Sequence, residues 1–358
     1  MKPLYITAVV TYSGKTALAL GIGLKLQAAG YKIGYLKPIS TQPFMVDGKL
    51  ADEDSVVVRR AFNLDTPLSD MSPVIIDEAL FEKVIQGTQN RDFKGDIKNA
   101  YQKASQGKDV LLVEGGSSMR EGYAIGMSAI NVAEMLDLPT LGIVRYRSGL
   151  MLVDDVLALH NRFGKHLQGI VINSVPAEAS AQVTSEVVPY LKRQGIKVYG
   201  VLPHERTLMA MSVGEITQFL DAKVINAGNS DALIENLSVG AMSAEAALPR
   251  FRRVLNKAVI TGGDRTDLQA AALETSTTAL ILTGNLQPNS SIVKRAEELG
   301  VAVLLVSGSS MDTVENVEKV FGKTRLNLPE KLDRFKAMLD TNLDWTSLFA
   351  DFGVNLSK

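Results

Sequence analysis

Cysteine is absent from the chain, which rules out disulfides, thiolate metal sites and any cysteine nucleophile. Charge of either sign is not in excess: 38 Lys and Arg against 39 Asp and Glu leave a formal net charge of −1, so no global field favours nucleic acid or an anionic membrane. Histidine is scarce, and His160, His166 and His204 show no metal-ligand spacing, which predicts structural or surface roles. No apolar run approaches the roughly 20 residues of a membrane span, and the N-terminus enters a strand directly, without the basic and apolar blocks of a leader. These absences predict a soluble, cytoplasmic protein. An apolar content of 46% over 358 residues supplies large cores and suits two domains with a small C-terminal appendage.

What is present begins with residues 4–10, an apolar run that predicts a buried strand. A polar turn follows, and Gly14-Lys15-Thr16 opens a helix with apolar residues at Leu18, Ile22 and Leu26. Strand, tight turn, Gly-Lys-Thr and helix is the setting of a phosphate-binding loop. Backbone N–H groups and the helix dipole favour oxygen anions there. Lys15 is expected at the β- and γ-phosphates, and the Thr16 hydroxyl at Mg²⁺. The full pattern has a glycine five residues before Gly14, where this chain has Val9.

Residues 32–36 predict a second strand, ended by Lys37-Pro38. Lys37 then lies at the carboxyl edge of the sheet, where ligands bind in open parallel sheets, although a solvated lysine fits that position equally. Residues 40–50 predict a loop running into Ala51-Asp52-Glu53-Asp54. Asp54, in the first turn of the next helix, is either a metal ligand beside Thr16 or a complement to the helix dipole. Residues 109–114 form an apolar strand ending in Glu114-Gly115-Gly116, the form of the second metal-side element in nucleotide hydrolases. Thr16, Asp54 and Glu114 together make a candidate Mg²⁺ set. Further strands at 140–144, 167–172 and 197–202 alternate with helices near 122–137, 150–163 and 178–194, which predicts an α/β fold with a parallel sheet covered on both faces. Arg145 and Arg147 stand at a strand end as possible clamps for phosphate or carboxylate, or as solvated side chains.

Assembled in this order, Thr7…Gly14-Lys15-Thr16, Lys37-Pro38, Asp54, Val113-Glu114-Gly115, Asn173 and Leu202-Pro203 resemble dethiobiotin synthetase and its relatives among P-loop ATP-dependent ligases. The resemblance implies ATP and Mg²⁺ as cofactors. It implies Ser13, Gly14, Lys15 and Thr16 at the phosphates, Asn173 at adenine, and Pro203 bordering the nucleotide. It also implies Lys15 and Lys37 as the charge-stabilising, catalytic residues, with Thr16, Asp54 and Glu114 at the metal. Val9 to Ser13 lack the extra lysine of the partitioning and nitrogenase-iron-protein ATPases, and the missing cysteine excludes a self-contained glutamine amidotransferase.

Residues 258–261, 279–283 and 302–306 read as strands, with helices near 265–274, 290–299 and 311–320: a smaller three-layer α/β unit. Its Gly262-Gly263-Asp264-Arg265 turn is a candidate anion site, or a tight turn only. This half resembles the DRTGG domain, and the pairing resembles the N-terminal region of long phosphotransacetylases, whose acetyltransferase domain a chain ending at Lys358 is expected to lack. The domains are accordingly predicted at 1–207, 208–325 and a helical tail at 326–358.

Three readings follow. One is an ATP- and Mg²⁺-binding regulatory protein whose second domain senses a small metabolite, with homodimerisation implied by the related synthetases. The alternative is an ATP-dependent ligase forming an acyl phosphate, although residues 40–50 do not suit dethiobiotin synthesis itself. The last is a scaffold that has lost its nucleotide, for which Val9 is the argument.

Overall fold

A computed structural model describes residues 1–321 and 329–355 of the chain. They form two compact units, Met1–His204 with Leu332–Lys358, and Glu205–Lys331. The boundary expected between 325 and 326 lies outside the described residues.

The first unit is built on six parallel strands: β1 (Lys2–Ala8), β2 (Ile33–Leu36), β3 (Val110–Glu114), β4 (Thr140–Arg145), β5 (Leu167–Val175) and β6 (Val198–Pro203). Their order is β6-β5-β4-β1-β3-β2, with every pairing parallel. Central strands buried on both faces explain runs such as Leu4-Tyr5-Ile6 and Val110-Leu111-Leu112-Val113, which are continuous rather than alternating. The chain moves to one side of β1 for β2 and to the other side for β4. The carboxyl ends of β1 and its neighbours therefore border a topological switch point, where open sheets bind ligands. Strand β1 stops at Ala8, two residues earlier than the apolar run suggests, because the backbone turns to reach the left-handed φ of 54° at Tyr12.

Helix α1 (Lys15–Ala28) is buried almost all round. Its outer face is covered from the chain's far end: a Cβ on Gly21 would lie 2.1 Å from Leu339 Cδ1 and 3.2 Å from Phe335 Cε1. Residues 332–355 are thus packed into the first unit.

Residues 40–50 are not a plain loop. Pro43–Val46 and Lys49–Asp52 pair as an antiparallel hairpin, turned by Asp47 and Gly48 at φ of 50° and 73°. Two consecutive left-handed residues suit an Asp-Gly hairpin turn, a signal the sequence carries. Helix α2 (Glu53–Ala61) follows directly, capped by the Asp52 carboxylate, which accepts from the Ser55 N–H. The stretch near 178–194 is helical but includes a π turn at Val183–Val187, just before Pro189, whose missing N–H is accommodated by the wider turn.

The second unit has a mixed sheet of β7 (Lys223–Asn226), β8 (Asn236–Val239), β9 (Lys257–Gly262), β10 (Thr277–Thr283) and β11 (Ala302–Leu305), in the order β7-β11-β10-β9-β8. Only β7 is antiparallel. Successive parallel strands are added in one direction, so right-handed crossovers put α3 (Ala244–Arg253), α4 (Thr266–Leu273) and α5 (Ser290–Leu299) on one face. Residues 213, 216 and 317 cover the other face, giving the expected three layers.

Candidate functional site

The site lies along the carboxyl edge of the first sheet. Between β1 and α1 the chain makes a tight loop in which Ser13 Oγ donates to Val10 O at 2.6 Å and Gly14 takes a φ of 95°. A glycine is required at 14 twice over, since a Cβ there would also lie 2.6 Å from Asn173 Nδ2. The departure at Val9 has a local explanation: its side chain is buried in the hydrophobic core, so it anchors the loop's start by packing.

Register brings the remaining residues together. Ile6 pairs with Glu114 and Leu36 with Val113, so Lys37, one residue beyond β2, comes level with Glu114. Thr16 Oγ1 donates to Glu114 Oε1 at 2.7 Å, and the Tyr35 hydroxyl donates to Glu114 Oε2 at 2.9 Å. Burial, and then the charge of Asp54, push the Glu114 carboxyl up to about 7. Lys15 is buried and donates to Ser117 O at 2.8 Å. Burial pulls its ammonium below the usual lysine range, against the opposing field of Glu114.

Lys37 donates to Asp52 Oδ2 at 2.8 Å and to Asp54 Oδ2 at 2.5 Å. Burial pulls this lysine down too, but Asp54, Asp52 and Glu114 outweigh it and hold the ammonium above its ordinary range. Asn173, on β5, donates through Nδ2 to Ser13 O at 2.8 Å, while its Oδ1 accepts the Ser174 N–H at 2.8 Å. The Nδ2 end of the amide therefore braces the loop while the Oδ1 end is fixed by its own strand, a role the expectation of adenine recognition did not include. Pro203 is exposed at the end of β6, on the same sheet edge.

Of the residues expected from sequence, Lys15, Thr16, Lys37, Asp54 and Glu114 form one electrostatically linked group, with Ser13, Gly14 and Asn173 joined through the loop. Sequence reading passed over four contributors. Asp52 was only one of three consecutive acids, and the Asp-Gly hairpin turn would have separated it from its neighbours. Tyr35 lies two residues before Lys37, the period of one strand face. Ser117 and Glu121 belong to an irregular loop, where Glu121 Oε2 accepts the Ser117 N–H at 2.6 Å, and no periodicity marks them.

The donor set suits magnesium. Thr16, Asp54 and Glu114 offer hard oxygens, and a P-loop metal takes its other ligands from water and phosphate. Among the described residues no group of three His, Asp or Glu side chains makes a metal site by itself.

In the second unit the Gly-Gly turn is filled by the chain's own atoms. A Cβ on Gly263 would lie 1.8 Å from Leu286 O, and one on Gly262 would lie 2.4 Å from Asp264 Oδ1. Gln269 Nε2 donates to both Gly262 O and Gly263 O, at 2.9 and 3.0 Å, and Arg265 donates to Met242 O and Asp267. These contacts give the two glycines a packing role in the turn.

The AAA domain family model matches residues 2–212, and the DRTGG domain model matches residues 215–320. The chain belongs to this AAA domain family. Its P-loop half is of the dethiobiotin synthetase kind, and the combination of domains is homologous to the N-terminal region of phosphotransacetylases. The phosphate acetyltransferase of Pseudomonas aeruginosa is 26% identical over 360 residues, covering 93% of this chain and 49% of that protein. The ATP-dependent dethiobiotin synthetase of Methanocaldococcus jannaschii is 24% identical over 216 residues, covering 56% of this chain and 92% of that protein. This chain spans about half the length of the phosphate acetyltransferases it matches. Among solved structures, the CBS and DRTGG domains of the regulatory region of Clostridium perfringens pyrophosphatase, complexed with the activator diadenosine tetraphosphate, align with 18% identity. That alignment has a TM-score of 0.30 over 47% of this chain and 85% of that one. No helix among the described residues is long and apolar enough to cross a membrane.

Proposed function

We propose that the first unit binds ATP with Mg²⁺ and that the protein works as a nucleotide-dependent regulator, its second unit responding to a small metabolite. The observation that carries the nucleotide reading is the convergence of Lys15, Thr16, Lys37, Asp54 and Glu114, drawn from four separate segments, at one sheet edge. Magnesium would supply charge neutralisation between phosphate oxygens, with Thr16, Asp54 and Glu114 as its protein ligands. The N–H groups at the start of α1 and the Lys15 ammonium would bind the phosphates, with the Lys15 amine giving up the Ser117 carbonyl. Homodimerisation, a cytoplasmic setting and the Gly262–Arg265 turn as the border of the second ligand's site belong to the same proposal.

A regulatory role is favoured over the ligase reading by the state of Lys37. In an acyl-phosphate-forming ligase that lysine would face transferring charge, yet here the fully buried Asp52 carboxylate already neutralises it.

Isothermal titration with MgATP and MgADP tests the proposal. Wild type should bind, and at a ligand concentration of 100 times Kd should gain about 2.7 kcal/mol of stability, a gain that Lys15→Ala should lose. Absence of binding by the wild type ends the proposal. Release of ADP stimulated by an amino or dicarboxylic acid would favour the ligase instead.

A further inference from the structure

Two carboxylates reach Lys37, and they are held differently. Asp52 is fully buried. Its Oδ2 accepts from Lys37 Nζ at 2.8 Å and Ser40 Oγ at 2.6 Å, and its Oδ1 accepts the Ser55 N–H at 2.8 Å. These bonds tie one carboxylate to the end of β2, the chain leading into the hairpin and the first turn of α2. The hairpin fixes it further, since the Asp47-Gly48 turn sets a register in which Asp52 pairs with Pro43 at the ladder's base. Asp54, in contrast, is 28% exposed at the start of α2, on the side open to solvent. Its charge acts on Glu114 and Lys15 as well as Lys37.

We propose that Asp52 is the fixed counter-ion that positions Lys37, and that Asp54 is shared between Lys37 and the hydrated divalent cation beside Thr16 and Glu114. The second clause rests on the MgATP reading above; the first stands without it. Asp52 is thus a positioning residue acting through Lys37. A carboxylate fixed by two further donors, Ser40 Oγ and the Ser55 N–H, keeps the lysine neutralised when the cation engages Asp54, so the ammonium stays where it is instead of following Asp54.

The test has two arms. In the first, Lys37 is labelled with an amine-acetylating reagent and quantified by peptide mass spectrometry, without nucleotide. Asp52→Asn should raise the labelling rate at Lys37 at least tenfold, and Asp54→Asn should raise it by clearly less, because only Asp52 is also held by Ser40 and the Ser55 N–H. Equal effects of the two substitutions overturn the assignment of Asp52. In the second, MgATP and metal-free ATP are titrated into wild type, Asp52→Asn, Lys37→Met, the double variant and Asp54→Asn.

Asp52→Asn should weaken MgATP binding about tenfold, the scale of a lost charged hydrogen bond, yet add nothing in the Lys37→Met background. The ratio of affinities with and without Mg²⁺ should survive in Asp52→Asn and fall to within twofold of unity in Asp54→Asn. Multiplying effects of Asp52→Asn and Lys37→Met, or a preserved Mg²⁺ ratio in Asp54→Asn, overturn the proposal. A melting temperature on every variant, and Asp52→Ser as a second substitution that retains a helix cap, separate loss of fold from loss of position. A wild type that binds no MgATP ends the earlier functional reading and the shared-Asp54 clause, leaving the labelling arm to decide Asp52.

Discussion

The Thr16 hydroxyl lies 2.7 Å from Glu114 Oε1, joining the first turn of α1 to the last residue of β3 across 98 positions of sequence. The bond depends on two strand registers and on the left-handed Gly14 that starts the helix. It leaves a hydroxyl and a carboxylate at the distance at which both can turn to one small cation. The buried carboxylate, held up at about 7, takes its pair of donors from Thr16 and Tyr35.

Asn173 offers a test of whether its amide braces the loop or reads a base. If it braces the loop through Ser13 O, Asn173→Ala should weaken MgATP and MgGTP alike, by about fivefold for a hydrogen bond worth roughly 1 kcal/mol. Paired titrations measure this, and a loss confined to ATP would restore the base-reading role.

Leu339 should behave as a core residue of the first unit although it comes from the chain's last tenth. It is almost wholly buried, close against Gly21 of α1. Leu339→Ala should cost about 2–5 kcal/mol in urea denaturation, as for other large-to-small core changes. Trp345, the single tryptophan, lies in the same unit and reports the transition by fluorescence.

The adjacent glycines of the second unit should respond unequally. A Cβ on Gly263 meets the Leu286 carbonyl oxygen, which belongs to the backbone, whereas on Gly262 it meets the mobile end of Asp264. Gly263→Ala should destabilise by more than about 3 kcal/mol and Gly262→Ala by about 1. Denaturation followed by far-UV circular dichroism compares them.

Lys257 predicts a pH dependence. It is fully buried, with Nζ donating to Val254 O, Thr275 Oγ1 and Ser276 O, and burial lowers its pKa from 10.5 to about 8. Between these values the unfolded chain binds more protons than the folded one, so this group's contribution to stability rises with pH. The penalty for burying the charge is full below pH 8 and is relieved by pH 10.5. The stability difference between wild type and Lys257→Met should therefore shift in favour of wild type across that window. A difference independent of pH between 8 and 10.5 would refute this.

The sequence alone was enough for the fold class and for naming the segments that meet at the sheet edge, because both are written in local terms. A run such as Val110–Val113 is strand-forming whatever surrounds it, and Gly14-Lys15-Thr16 carries its chemistry in consecutive positions. Tertiary structure decided what depends on pairing over distance. Asp52 and Asp54 are indistinguishable as neighbouring acids until a hairpin register buries one and leaves the other near solvent. Asn173 became a loop brace only when β5 came beside the loop before α1, and Gly263 a packing residue only when Leu286 met it. Residues 332–355, read as an appendage, joined the first unit because α1 is apolar on its outer face, and that surface must be buried by something.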